Sequence, residues 1–381
     1  MRGGRLWLGA LLLTGCGDDG GSSGDSSTTM ATETSTTMMS ADSTSAPPTT
    51  TSVGSSSGPS DTSTTDDSGP VDSSGTDSTG APPERGCPDG PFADTPLPSP
   101  MVTATAVPDS SSNAHAGGLA EGPVWLDGSL YLSHFAGGPT PPGTILRYDP
   151  GMPVVPAIDN AGSNGLATDG EGNILGASHD DGSISRFTLD GMRTTIVGDY
   201  FGARFNSPND LTVRSDGTIY FTDPSYQAPN PQPQPVTGVY RVDPAGVPEL
   251  VDDMLNQPNG ISLSPDETQL YVGHPGGVMR YDVNPDGTVA TPGMPFGTGL
   301  SGVDGMGMDC AGNLYVTMFG AGEVDVVAPD GTTLGTIVVA PSLTNVAFGG
   351  EDMTTLYATA GNPENGDALY EIELQIPGYP Y

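Results

Sequence analysis

Apolar and polar positions alternate along most of this chain in short runs, and the runs come in pairs separated by turn residues. The clearest pair is NSPNDLTVRSDGTIYFTDPSY, residues 206–226. An oxygen-bearing residue at Asn209 leads a strand, Ser215-Asp216-Gly217 makes a turn, and a second strand returns to Asp223. The same phrase recurs with leads at Glu121, Asn164, Asn259, Asp304 and Asn345, so the leads fall 43, 45, 50, 45 and 41 residues apart. A repeat of that length built from short strands predicts an all-β, six-bladed β-propeller. No long amphipathic periodicity predicts a helix of any size.

Chain ends complete the circle. The sixth repeat has one strand too few, and the alternating run at residues 101–107 precedes the first lead without a partner. That run is expected to close blade six as its outermost strand, since an unpaired edge would otherwise be exposed. The turn holding Cys310 then lies on the face opposite the leads, and Cys87 enters from that face beside the adjacent blade. A Cys87–Cys310 disulfide is expected, provided that the chain is exported.

In a propeller the innermost strand of each blade starts near the axis, so the six leads form one ring of Glu, Asn, Asn, Asn, Asp and Asn. Turn chemistry alone would place Asn or Asp before Gly at any one of them. Six in register, with no aliphatic residue among them, point instead to a shared oxygen-donor site. Its hard oxygens suit calcium first, with manganese, magnesium or zinc as alternatives, and exclude a thiolate-type zinc site. His134, His179 and His274 end the second strands of their blades, as does Asp223, and His115 lies in the loop entering blade one. All are expected around the mouth of the ring as proton-transfer or substrate-binding groups.

Composition changes the picture mainly at the N-terminus. Residues 1–16 carry Arg2 and Arg5, an apolar run at 6–13, and the ending Leu13-Thr14-Gly15-Cys16. Eight apolar residues are too few to cross a bilayer. The ending resembles a bacterial lipobox, which implies cleavage before Cys16 and a lipid on that thiol; an ordinary cleaved signal is the alternative. Residues 17–90 are Ser, Thr, Gly, Asp and Pro with scarcely an aliphatic, and read as a disordered acidic tether that spaces a folded domain, 91–381, from a membrane. The net charge is −36, and all ten basic residues are arginines. Lacking lysine, the chain has no Schiff-base or P-loop chemistry, and its acidity argues against nucleic acid as a partner. No Gly-x-Ser-x-Gly motif lies in the propeller and no metalloprotease His pair is present.

Four phrases carry a family resemblance: EGPVW at Glu121, the Asn206 phrase above, PNGISLSPDETQLYV from Pro258, and DGMGMDCAGNLYVT from Asp304. Together they resemble the gluconolactonase, regucalcin and luciferin-regenerating enzyme family, over residues 118–380. The resemblance implies a six-bladed propeller with a divalent metal on its axis that hydrolyses sugar lactones and related cyclic esters. By matching phrase, Glu121, Asn209, Asn259 and Asp304 would be the metal ligands. Asp304 would be the base or water-orienting group with Asp210 beside it. Asn164, His134, His179, Asp223, His274 and Asn345 would contact a small-molecule substrate, in a chain expected to be monomeric. Two departures bear on the substrate. Many relatives read Cys-Glu-His-Gly where this chain has Ala177-Ser178-His179-Asp180, and the Tyr226 phrase lacks the usual following Gly and runs into a Pro-rich loop. A phosphotriesterase using the same ring and a non-catalytic ligand-binding propeller are the alternatives.

Overall fold

A computed structural model of the chain describes residues 86–108, 110, 118–136, 143–361 and 368–380. Cys16, its lipid and most of the expected tether lie outside the described residues. All regular structure among the described residues is β-strand.

Six sheets follow one another along the chain as six blades, each running outward from an innermost strand. These innermost strands are Gly118–Leu126, Ser163–Thr168, Leu211–Val213, Ile261–Leu263, Val303–Met308 and Leu343–Gly349. Second strands repeat an aliphatic-aromatic step, and their tyrosines, Tyr131, Tyr220, Tyr271, Tyr315 and Tyr357, are all buried. Strand alternation turns each such ring into the space between neighbouring blades, where clusters such as Tyr315 with Phe348 and Leu356 form.

Closure departs from the expectation in one respect. The run at 101–107 serves two blades rather than one. Met101–Thr103 pairs in parallel with Thr333–Val338 as a fifth strand of blade five, and Thr105–Ala106 then pairs antiparallel with Leu369–Glu373 as the outermost strand of blade six. Both blades thus have their edges covered by one short segment. On the face opposite the leads, Cys87 and Cys310 are joined in a disulfide with Cα atoms 5.5 Å apart. The C-terminal segment crosses to the same turn: the Cys310 N–H donates to Pro377 O at 2.8 Å and the Tyr379 N–H to Met308 O at 2.8 Å.

Candidate functional site

The lead residues reach the axis because the strands are built to aim them there. In four blades a register shift falls at the lead: between Glu121 and Val124, Ser163 and Leu166, Val303 and Met306, and Leu343 and Asn345. A bulge leaves a residue unpaired and re-aims its side chain. In the other two blades, Asn209 and Asn259 precede the strand, held by N–H bonds to Thr222 O at 2.9 Å and Gly273 O at 2.8 Å.

Hydrogen bonds at every junction draw the blades together around these residues. Ser133 and Ser163 share a bond of 2.7 Å, Gly165 N–H donates to Asn209 O at 2.6 Å, and Thr222 Oγ1 donates to Asn259 O at 2.7 Å. Gly260 N–H donates to Asp304 O at 2.9 Å, Thr317 Oγ1 to Thr344 O at 2.9 Å, and Thr344 Oγ1 to Ala120 O at 2.6 Å. Glycine beside a lead is a requirement of that closeness. A Cβ at Gly305 would stand 1.9 Å from Asn345 Cγ, and one at Gly165 would stand 2.3 Å from Asp210 Oδ1.

Five of the leads and Asp210 are buried, and Asp304 is half-buried. Burial pushes the Asp304 carboxyl up to about 8, helped by the charge of Asp210 and opposed by a hydrogen bond from Asn259. Asp210 is pushed up to about 7 by burial, against bonds from the N–H groups of Leu211 and Ile261 and from Asn345. Glu121 is raised by burial and by the charges of Asp304 and Asp210, although Gly122 N–H and Asn345 bond it. These mutual effects place the three carboxylates in one site. Asn345 donates Nδ2 to Asp210 Oδ2 at 3.4 Å and also bonds Glu121, while its Oδ1 accepts from Val346 N–H at 2.8 Å. Its oxygen is therefore committed and its amide spaces two carboxylates.

Whether a cation suits these residues is decided by the donors. Asn164 is 2% exposed and its Oδ1 is buried with no hydrogen-bond partner. An unsatisfied buried acceptor beside mutually repelling carboxylates is costly unless a positive charge neutralises it. The oxygen-only set fits a hard divalent cation. Among the described residues no three of His, Cys, Asp and Glu are grouped to hold a metal; Asn amide oxygens would have to complete any coordination.

The substrate positions expected at the mouth divide. His274 is half-buried, and its Nδ1 accepts from Gly276 N–H at 3.2 Å. His179 is 4% exposed, lies 4.7 Å from the Phe135 ring, and is lowered to about 4 by burial. His134 is buried and packs on Gly118, where a Cβ would meet its Nε2 at 2.5 Å. The latter two form a wall rather than an open contact, and His115 lies outside the described residues. Asp223 corrects the expectation: it is 0% exposed, and its two oxygens accept from Asn206 N–H at 2.9 Å and Ser207 N–H at 2.7 Å. It holds the segment that enters blade three ahead of Asn209. Burial raises the phenol of Tyr226, three positions beyond Asp223 and missed by the ring pattern, and the charges of Asp304 and Glu121 raise it further. A cavity of about 840 Å³ opens on the opposite face, lined in part by Trp125, Phe348 and Met353, and reaches Asp210 and Asn345 from beneath.

Residues 119–362 match the family model described as SMP-30/Gluconolactonase/LRE-like region. The chain belongs to this family. Within it, a gluconolactonase of Zymomonas mobilis is 32% identical over 64% of this chain and 76% of its own length. A pentonolactonase of Haloferax volcanii is 30% identical over 73% of this chain and 97% of its own length. Among solved structures, a gluconolactonase from Xanthomonas campestris superimposes with a TM-score of 0.60 at 28% identity, over 76% of this chain and 99% of that one. The calcium-binding protein regucalcin from Agrobacterium tumefaciens shares the fold, with a TM-score of 0.60 at 20% identity over 74% of this chain and 100% of that one. These lactonase relatives make the chain a hydrolase of lactonase type.

Proposed function

We propose that the chain is a divalent-cation-dependent lactonase acting on the cyclic ester of a sugar acid or a related hydroxy acid. One observation carries this reading: Glu121 and Asp210, both buried, and Asp304, half-buried, act on one another as like charges on the axis of a propeller whose relatives are lactonases. Glu121, Asn209, Asn259 and Asp304 would hold the cation, calcium first, and the buried Asn164 oxygen, which has no hydrogen-bond partner, would be available as a further donor. When bound, the cation supplies a Lewis acid that polarises the ester carbonyl and stabilises the oxyanion.

The remaining work falls to the side chains. Asp304 takes a proton from the attacking water at its carboxylate oxygen and returns it to the alkoxide released when the ring opens. Asn259 holds Asp304, and Asn345 keeps Asp210 and Glu121 at a fixed separation. His179 packs against the Phe135 ring. Elemental analysis of the purified protein, with sugar-lactone hydrolysis before and after chelation, tests the proposal. Full activity in metal-free protein refutes it, and a preference for an organophosphate in the paired assay would reassign the site to phosphotriester hydrolysis.

Export with a lipid on Cys16 belongs to the same proposal. The Cys87–Cys310 disulfide supports it, since such bonds persist in oxidising compartments. Mass analysis of the mature N-terminus tests it.

A further inference from the structure

Behind the ring of leads stands a ring of hydroxyls. Near the end of the second strand, five blades carry one, at Ser133, Ser178, Thr222, Thr317 and Thr359, and all five residues are fully buried. Blade four has Gly273 in that place, where a Cβ would stand 2.6 Å from Val303 Cγ1.

Thr222 is set apart by what it joins. Its Oγ1 accepts from Asp210 N–H at 3.1 Å and donates to Asn259 O at 2.7 Å. A hydroxyl has one proton to give, and Asp210 O, at 3.5 Å, is much the poorer acceptor, so the proton lies toward Asn259. That carbonyl belongs to the peptide unit whose other end, Gly260 N–H, donates to Asp304 O at 2.9 Å. A peptide unit is planar, so its two ends turn together. One chain of hydrogen bonds therefore runs from Asp210 N–H in blade three, through Thr222 and the Asn259 peptide, to Asp304 in blade five. Every member of it is a main-chain group except the Thr222 hydroxyl. Successive bonds in such a chain polarise and strengthen one another.

Asn259 is governed most directly. Its N–H donates to Gly273 O at 2.8 Å, which holds the peptide before its Cα, while Thr222 holds the peptide after it. With both flanking planes fixed, the direction in which the side chain leaves that Cα is fixed too. The main chain of Thr222 also serves the neighbouring lead, since Asn209 N–H donates to Thr222 O at 2.9 Å.

We propose that Thr222 is a positioning residue of the cation site, its hydroxyl setting the main chain of Asn259, and through it that of Asp304, relative to Asn209. This rests on the reading of Glu121, Asn209, Asn259 and Asp304 as the cation set. Thr222 acts through these residues and is not itself a ligand.

Calcium binding by the full-length protein, stripped with chelator and titrated calorimetrically at pH 8, reads this role without an activity assay. Thr222→Val keeps the shape of the side chain and removes its hydroxyl, whereas Thr222→Ser keeps the hydroxyl. Calcium affinity is expected to fall about 10- to 100-fold in the first and to stay within about 3-fold of wild type in the second. Tyr220→Phe separates positioning from general support. Two residues earlier on the same strand, the buried Tyr220 O–H donates to Gly287 O at 2.7 Å, tying blade three to blade four through a bond outside the chain described. That variant is expected to melt lower, as Thr222→Val does, yet to bind calcium within about 3-fold of wild type. Should Thr222→Val not fold, Thr222→Cys takes its place, with a weaker donor and an expected loss of at least about 5-fold. Unchanged binding in the hydroxyl-free variant or its replacement, a loss in Thr222→Ser as large as theirs, or an equal loss in Tyr220→Phe would each overturn the assignment. A wild type that binds no calcium would instead remove the cation reading, and this role with it.

Discussion

In the cation-free protein, lowering the pH from 8 to 5.5 should raise stability, against the habit of most proteins. Asp210 titrates from an unfolded value near 3.8 to about 7 when folded. Between those values the folded state binds a proton that the unfolded state does not, so stability grows as pH falls through 7 and is fully present below 3.8. Going from pH 8 to pH 5.5, that one group contributes about 2 kcal/mol. Asp223, also raised to about 7, contributes a similar ~2 kcal/mol. Asp304, raised to about 8, contributes about 3 kcal/mol. His179 works the other way. Its folded value of about 4 lies below the unfolded 6.5, so its stabilisation is present above 6.5 and lost as pH falls, costing about 1 kcal/mol by pH 5.5.

Protonating one site carboxylate relieves its neighbours, so the group does not act as independent parts, and we take a net gain of about 3 kcal/mol. That corresponds to roughly 6–10 °C in melting temperature. The assay is a thermal melt in chelator at pH 5.5 and pH 8, repeated with excess calcium. Calcium should raise the melt at pH 8 and do less at pH 5.5, where protons already neutralise the ring. A chelated protein that melts no higher at pH 5.5 than at pH 8 would refute the argument.

Three further outcomes are expected. Asp304→Asn should lower kcat on a sugar lactone by about 100-fold or more, and elemental analysis should find the cation retained; full activity would remove Asp304 as the proton acceptor. Asn164→Leu removes an acceptor that has no partner, so the chelated melt should hold or rise while the calcium-induced shift shrinks. Reduction of Cys87–Cys310, which spans 223 residues of chain, should cost up to about 5 kcal/mol, read as a lower urea midpoint with two new free thiols.

The repeat and the lead residues were legible because a propeller imposes the same two demands six times. Each blade needs a period-2 strand pair, and each innermost strand needs a residue that tolerates a crowded axis. What the repeat could not reveal is how the leads differ among themselves. Asn164 and Asn345 look equivalent in the sequence. Yet one oxygen is left without a partner, and the other is taken by Val346 N–H so that its amide can serve Asp210 and Glu121. That difference depends on which blade stands opposite, and no local phrase encodes it.

The misplaced expectations have a common physical source. The run at 101–107 was expected to form one strand because it alternates without a break, but a change of partner after Thr103 leaves the alternation intact. Asp223 was expected at the mouth because it ends a second strand as three histidines do. In blade three, however, the segment entering the first strand has N–H groups that need an acceptor, and the buried Asp223 carboxylate supplies one for each of Asn206 and Ser207. A carboxylate at the end of a second strand is thus taken up by backbone N–H groups of the segment beside it. In a repeat protein, the blade that departs furthest from the others is therefore where specificity is expected to be built.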